Sequence, residues 1–175
     1  DAILTGLRYG RDASVVRCVL VRTGAFSLAA SSLLALLPIV ARPHGATGYG
    51  LLLGSFGLGA LAGAAVLPRL RSTLSVDGVV TIAILVFAAM TFAAGQVQTF
   101  GWLELVLFTS GTAWIGILAC LNVAAQTMSP SFLRARALSL YLLVLQGGMA
   151  IGSALWGALA SRVGIPTTFL CSAIA

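Results

Sequence analysis

The sequence predicts an all-α fold, a polytopic bundle of transmembrane helices. Of its 175 residues, 59% are hydrophobic and only 8% are charged, whereas a soluble domain carries roughly a quarter charged residues. The mean hydropathy is +1.07, and a soluble protein of this size has too little interior to hide so much apolar surface. Lipid is therefore the expected solvent, and the lipid bilayer is the first expected partner.

Six apolar stretches predict six helices, because about 20 apolar residues in helical form cross the hydrocarbon core of a bilayer. In chain order they are A (18–40), B (49–67), C (78–94), D (102–125), E (138–160) and F (166–175). Helix F is too short to span as given, so it is expected to be a truncated last helix.

The breaks between the helices carry turn signals or are short. Pro43, Pro68 and Pro130 mark the breaks at 41–48, 68–78 and 128–136. The links at 95–101 and 162–166 are short enough to predict antiparallel neighbours, so the expected topology is up-and-down.

Polar side chains single out helices A and D. Helix C is almost wholly apolar, as expected for a helix that faces lipid, whereas A carries serines and D carries threonines, a tryptophan and an asparagine. Polar groups at membrane depth face a partner helix or water, so A and D are predicted to lie inside. Helix-to-helix hydrogen bonding is the alternative use of these groups. The candidate substrate-pathway residues are Ser27, Ser31, Trp114, Asn122 and Gln146.

Glycines in helices B and E follow a spacing of four. The stretch GSFGLGALAG (54–63) is close to a dinucleotide-binding fingerprint, but no strand precedes it and it lies in the middle of an apolar helix. Spacing by four instead removes side chains from one helix face and lets a second backbone approach. The predicted helix-packing or gating positions are Gly50, Gly54, Gly59, Gly63, Gly148 and Gly152.

The net charge of +6 comes from ten arginines, with no lysine, against four acids. No basic module with interleaved aromatics is present, so nucleic acid is not an expected partner. Eight arginines flank the N-terminal side of A and the B–C and D–E links, and two lie on the other side. The positive-inside rule therefore places the N-terminal flank in the cytoplasm. The predicted cytoplasmic-loop residues are Arg69, Arg71, Arg134 and Arg136.

The sequence offers little for catalysis or metal binding. The three cysteines are scattered through apolar runs, and the single histidine and four acids lie far apart. We expect no enzyme activity, no cofactor and no metal site. Glu104 is expected at the outer membrane interface, Arg22 is expected to reach the cytoplasmic surface, and His44 is expected to be solvated.

Three stretches carry a resemblance to a known family: GLRYGRDASVVRCVLVRTGAFSLAASSLLALLPIVAR (6–42), GYGLLLGSFGLGALAGAAVLPRLR (48–71) and RARALSLYLLVLQGGMAIGSALWGALASRVG (134–164). Together they resemble the C-terminal half of a major facilitator superfamily (MFS) transporter, in the branch that contains the enterobactin exporter and other bacterial efflux proteins. Helices A to C and D to F then correspond to two three-helix repeats of inverted topology.

The resemblance implies a specific organisation. Residues 1–17 would end the cytoplasmic linker between the halves, and 18–175 would form the last six of twelve helices, with an N-terminal half of the same transporter as partner. A and D would be central, B and E would contact the other half, and C and F would face lipid. The implied function is alternating-access efflux of a small molecule, such as a siderophore or drug, by a proton antiporter of the bacterial inner membrane.

The chain departs from the family pattern at two places. Arg69 and Arg71 are present in the loop after helix B, but the aspartate that normally precedes them is not, and Ser153 stands where an antiporter proline could lie. A second hypothesis, from a different class, is also kept open: a membrane permease subunit driven by a separate ATPase.

Overall fold

The computed structural model describes residues 14–97, 99–127 and 134–175, and within them every regular element is helical. The elements in chain order are α1 (Ser14–Val40), a 3-10 turn (Arg42–His44), α2 (Gly45–Thr73), α3 (Val76–Gln96), α4 (Phe100–Thr127), α5 (Arg134–Val163) and α6 (Ile165–Ile174). The predicted all-α class is confirmed.

Among the described residues, four continuous helical stretches are long and apolar enough to cross a membrane. They are Arg17–Thr73, Val76–Gln96, Phe100–Thr127 and Arg134–Val163. The first contains both α1 and α2, which are joined only by the 3-10 turn. Helix α6 is apolar but has ten residues, fewer than the about 20 that a span needs.

Helix α2 runs six residues beyond the predicted end of helix B. The break expected at Pro68 is wrong, because Pro68 lies inside α2 and the helix continues to Thr73. Arg69 and Arg71, predicted in a loop, therefore lie on a helix. Proline removes one backbone donor from a helix but does not have to end it. Pro68 is exposed, and the chain leaves the helix only at Leu74, which is extended with ψ 150°.

Other boundaries also shift outward. Helix α1 begins at Ser14, inside the predicted linker, and α5 begins at Arg134 instead of residue 138, so Arg134 and Arg136 lie on a helix and not in a loop. Residues 1–13 and 128–133 lie outside the described part of the chain. A helix can extend past the hydrocarbon core into the polar interface, so the apolar run marks its span and not its ends.

Two pairs of parallel helices form the body of the bundle. Helix α2 makes its most extensive contacts with α4, and α5 makes its most extensive contacts with α1. Helix α3 packs on α4 and α6. The second helix of each predicted three-helix set therefore packs on the first helix of the other set.

Helices α1 and α4 supply most of the buried side chains, as their polar residues predict. Leu33, Leu36 and Leu37 of α1 and Leu107 and Ile117 of α4 are almost completely buried. Helix α5 is the opposite case, because only 17% of its most apolar 18-residue segment is buried within the bundle. Much of α5 is thus left to contact lipid or another set of helices.

Candidate functional site

Ser27 and Ser31 of α1 lie at a helix crossing. Both are completely buried, and their hydroxyls donate to carbonyl oxygens of their own helix, Ser27 to Gly24 at 3.1 Å and Ser31 to Leu28 at 2.8 Å. A Cβ atom added at Gly148 of α5 would overlap the Ser27 hydroxyl, and one added at Gly152 would overlap the Ser31 hydroxyl. The two serines therefore fill the space that the α5 glycines leave.

Trp114 of α4 lies in an aromatic cluster that joins four helices. Its ring centroid is 5.4 Å from that of Phe26 on α1, 5.8 Å from Phe87 on α3 and 6.1 Å from Phe56 on α2. Phe26 and Phe87 meet edge to face at 5.6 Å. Offset and edge-to-face pairs of this kind add to the energy of burial, and half-buried Trp114 is the ring that contacts all three phenylalanines.

Asn122 and Gln146 lie elsewhere on the bundle. Asn122 is half-buried on α4, and its side-chain oxygen accepts a 2.5 Å hydrogen bond from the Gln126 amide one turn further on. Gln146 lies on the exposed face of α5.

The structure therefore distributes the five pathway candidates over several places. Among the described residues, four cavities of about 450, 320, 210 and 180 Å³ lie between helices, and none of the five candidates lines any of these four.

The predicted glycine positions separate into two groups. A side chain at Gly59 would overlap the backbone of Phe108, and one at Gly63 would overlap the backbone of Thr112, both on α4. Gly50 and Gly54, on the same helix, have no atom within 4 Å of an added Cβ. Gly59 and Gly63 are both buried against α4, so this part of α2 faces a helix of the same bundle.

The α5–α1 crossing is built like the α2–α4 crossing. Gly152 meets the backbone of Leu28 as closely as Gly63 meets that of Thr112. At each crossing, a side chain of one helix donates a hydrogen bond to a backbone carbonyl oxygen of the other helix. The Thr112 hydroxyl donates to Gly59 at 2.9 Å, and the Trp156 indole N–H donates to Leu28 at 2.7 Å.

Sequence reasoning missed these two bonds and Gly111, a third close approach, which meets the Phe56 carbonyl. Gly111 and Thr112 follow Thr109 and Ser110 in helix D, but the sequence does not show which carbonyl a hydroxyl will reach.

Most of the described arginines lie at one end of the bundle, which we call the arginine end, whereas Arg42 and Arg162 lie at the other. Arg69, Arg71, Arg134 and Arg136 are all exposed at the arginine end. Near the start of α1, Arg22 forms an ion pair with Asp77 in the first turn of α3 at 2.6 Å. Ser75 caps that helix by accepting from the Gly78 N–H at 3.1 Å. The ion pair links α1 to α3, and the sequence reasoning, which expected Arg22 simply to reach the surface, did not identify it.

At the opposite end, His44 is exposed and its ring lies 4.6 Å from that of Phe100, at the start of α4. Glu104 is half-buried one turn into α4. Among the described residues, no group of three His, Cys, Asp or Glu side chains could hold a metal ion. Cys18, Cys120 and Cys171, which all belong to the described residues, are free thiols.

Comparison with protein families identifies a match. A family model described as "Transmembrane secretion effector" matches residues 1–175, the whole of the chain. Neither the curated proteins nor the solved structures contain a significant match.

Proposed function

The chain belongs to the transmembrane secretion effector family of MFS transporters and is a multi-pass membrane protein, and we propose that it exports a small molecule by alternating access in exchange for protons. The observation that carries the proposal is the match over the whole chain. The family match gives no support to the second hypothesis, an ATPase-driven permease subunit.

The helix packing supports a repeat of two three-helix sets. Helix α2 packs on α4 and α5 packs on α1, each through glycines spaced by four. The first set begins at the arginine end and the second begins at the other end, which is the relation that inverted repeats have in secondary transporters. We infer that the chain is the C-terminal half of a twelve-helix transporter of the enterobactin-exporter type, with residues 1–17 ending the linker between the halves.

The exposed faces of α2 and α5 support a partner in the membrane. Leu58 and Leu61 of α2 are 61% and 69% exposed, and Leu143 and Ile151 of α5 are 66% and 58% exposed. We propose that an N-terminal half of the same transporter covers part of this surface. In that arrangement Gln146 would face the interface, while Ser27, Ser31, Trp114 and Asn122 would act from behind it, holding α1 and α4 in place.

A transport assay tests the proposed coupling. Proteoliposomes that contain the full-length protein and an amphipathic fluorescent dye are exposed to a pH gradient, and dye movement is recorded with and without ATP. We expect the gradient alone to drive movement and a protonophore to abolish it. Movement that requires ATP hydrolysis would refute the secondary-transporter proposal.

The arginine end is proposed to face the cytoplasm of the bacterial inner membrane, because positive charge is retained on that side during insertion. Single cysteines are placed at positions 44 and 71 in a variant without the native thiols. A membrane-impermeant maleimide applied to intact cells should label position 44, and should label position 71 only after permeabilisation. The reverse labelling pattern would overturn the orientation.

A further inference from the structure

The largest of the four cavities described above lies at the arginine end and has polar and apolar walls. Its volume is about 450 Å³, and residues of α1, α2, α3 and α4 line it. The polar part is formed by Arg22, Arg71, Asp77 and Thr127, and the apolar part includes Val19, Val80 and Leu121. The charged residues come from the ends of spanning helices, so the cavity lies at the depth where the hydrocarbon core gives way to water.

The charges of the cavity do not balance. Arg22 is paired with Asp77 at 2.6 Å, whereas Arg71 has no ion-pair partner among the residues that the structure describes. Asp77 is itself 81% exposed, so water weakens its compensation of Arg22. Among the described residues that line the cavity, two guanidinium groups and one carboxylate leave an excess of positive charge that an anion would neutralise.

We propose that this cavity binds the phosphate group of an anionic phospholipid. Guanidinium groups suit phosphate because their donors match its oxygens in pairs, and basic pockets between transmembrane helices on the cytoplasmic side hold anionic headgroups. Arg71 is the principal contact and Arg22 the second. The apolar wall of Val19, Val80 and Leu121 accommodates the glycerol and upper acyl region, which a free phosphate lacks.

Lipid retention by the purified full-length protein tests the proposal without any transport assay. The protein is mixed in detergent with equal amounts of phosphatidylglycerol and phosphatidylcholine, and bound lipids are counted by native mass spectrometry. We expect a preference for phosphatidylglycerol that falls about five-fold in Arg71→Gln, since one basic residue near the surface contributes about that factor.

Arg69→Gln is the matched control, because Arg69 lies two residues away on the same exposed turn of α2 and does not line the cavity. It should retain the preference. Equal losses in the two variants would show general attraction to the charged surface and overturn the site.

Two further measurements separate the possible ligands. Asp77→Asn removes the competing carboxylate, so it should increase phosphatidylglycerol retention, and a decrease would contradict the proposed role of the charge excess. Inorganic phosphate at 10-fold excess over the lipid should not displace phosphatidylglycerol. Displacement by inorganic phosphate would overturn the lipid assignment and favour a soluble anion.

Discussion

Two pairs of glycines on the same helix, both spaced by four, have opposite surroundings. Gly59 and Gly63 are buried, and a side chain at either would overlap the α4 backbone. Gly50 and Gly54 are exposed, and nothing lies within 4 Å of an added Cβ. The same local spacing thus produces a helix crossing in one half of α2 and an open face in the other.

Glycine spacing therefore indicates that a second helix can approach closely, but it does not identify which helix does so. In lipid, association depends on dispersion contacts and interhelical hydrogen bonds, since there is no hydrophobic driving force between helices. The α2–α4 crossing has both, because its backbones touch and the Thr112 hydroxyl bonds to Gly59. The open pair has neither within the described residues, so it is available to lipid or to another set of helices.

The largest effect is expected from leucine at the buried pair. Gly59→Leu would force α2 away from the Phe108 backbone, which costs more than the roughly 1–3 kcal/mol of ordinary overpacking because backbone cannot rotate aside. We expect little folded protein, measured as the monodisperse fraction in fluorescence-detected size-exclusion chromatography.

Gly54→Leu is the matched control for that substitution, because it adds the same side chain to the same helix in open space. Its folded fraction should be much higher than that of Gly59→Leu. If Gly59→Leu and Gly54→Leu folded equally well, the two pairs of glycines would not differ as the structure shows.

A smaller effect is expected at the second crossing, where alanine suffices. Gly152→Ala would place its methyl group against the Leu28 backbone of α1, so we expect a lower midpoint of thermal unfolding in detergent. Gly157→Ala, on the same helix with no atom within 4 Å, should leave the midpoint unchanged or raise it, because alanine is favoured over glycine in helices by up to about 1 kcal/mol. A lower midpoint in both variants would mean that α5 tolerates no change at either position, and the proposed likeness of the two crossings would fail.

The composition and the apolar runs were sufficient to predict the helical class and approximate spans. Hydropathy reports which residues tolerate lipid, so it could not place the ends of α2 and α5, which continue beyond the apolar run to Thr73 and back to Arg134. Pro68 was misleading for the same reason, because a turn signal near the polar interface does not have to end a helix.

The candidate site was less predictable than the fold. Polarity correctly directed attention to α1 and α4 as inner helices, but it did not distinguish a serine that fills a glycine gap from one that lines a cavity. Ser27 and Ser31 are of the first kind, since each lies against an α5 glycine. That distinction depends on contacts between helices far apart in sequence, which the spacing of residues within one helix does not contain.

The smallest effect is expected from the hydrogen bonds that fasten the two crossings. Trp156→Phe keeps most of the apolar surface but removes the N–H that donates to Leu28, and Thr112→Val keeps the shape but removes the hydroxyl that donates to Gly59. Interhelical hydrogen bonds in membranes contribute about 0.6 kcal/mol on average, so each variant should lower the free energy of unfolding by roughly that amount.

Thr112 also bonds within its own helix, to Phe108 at 3.1 Å, whereas the Trp156 donor has one bond to the neighbouring helix, so Trp156→Phe should cost at least as much as Thr112→Val. Thr112→Ser, which retains the hydroxyl, is the control and should lie closer to the unmodified protein than Thr112→Val does. If Trp156→Phe or Thr112→Val destabilised the protein as much as Gly152→Ala does, backbone contact would not be the main stabilisation of the crossings and hydrogen bonding the lesser one.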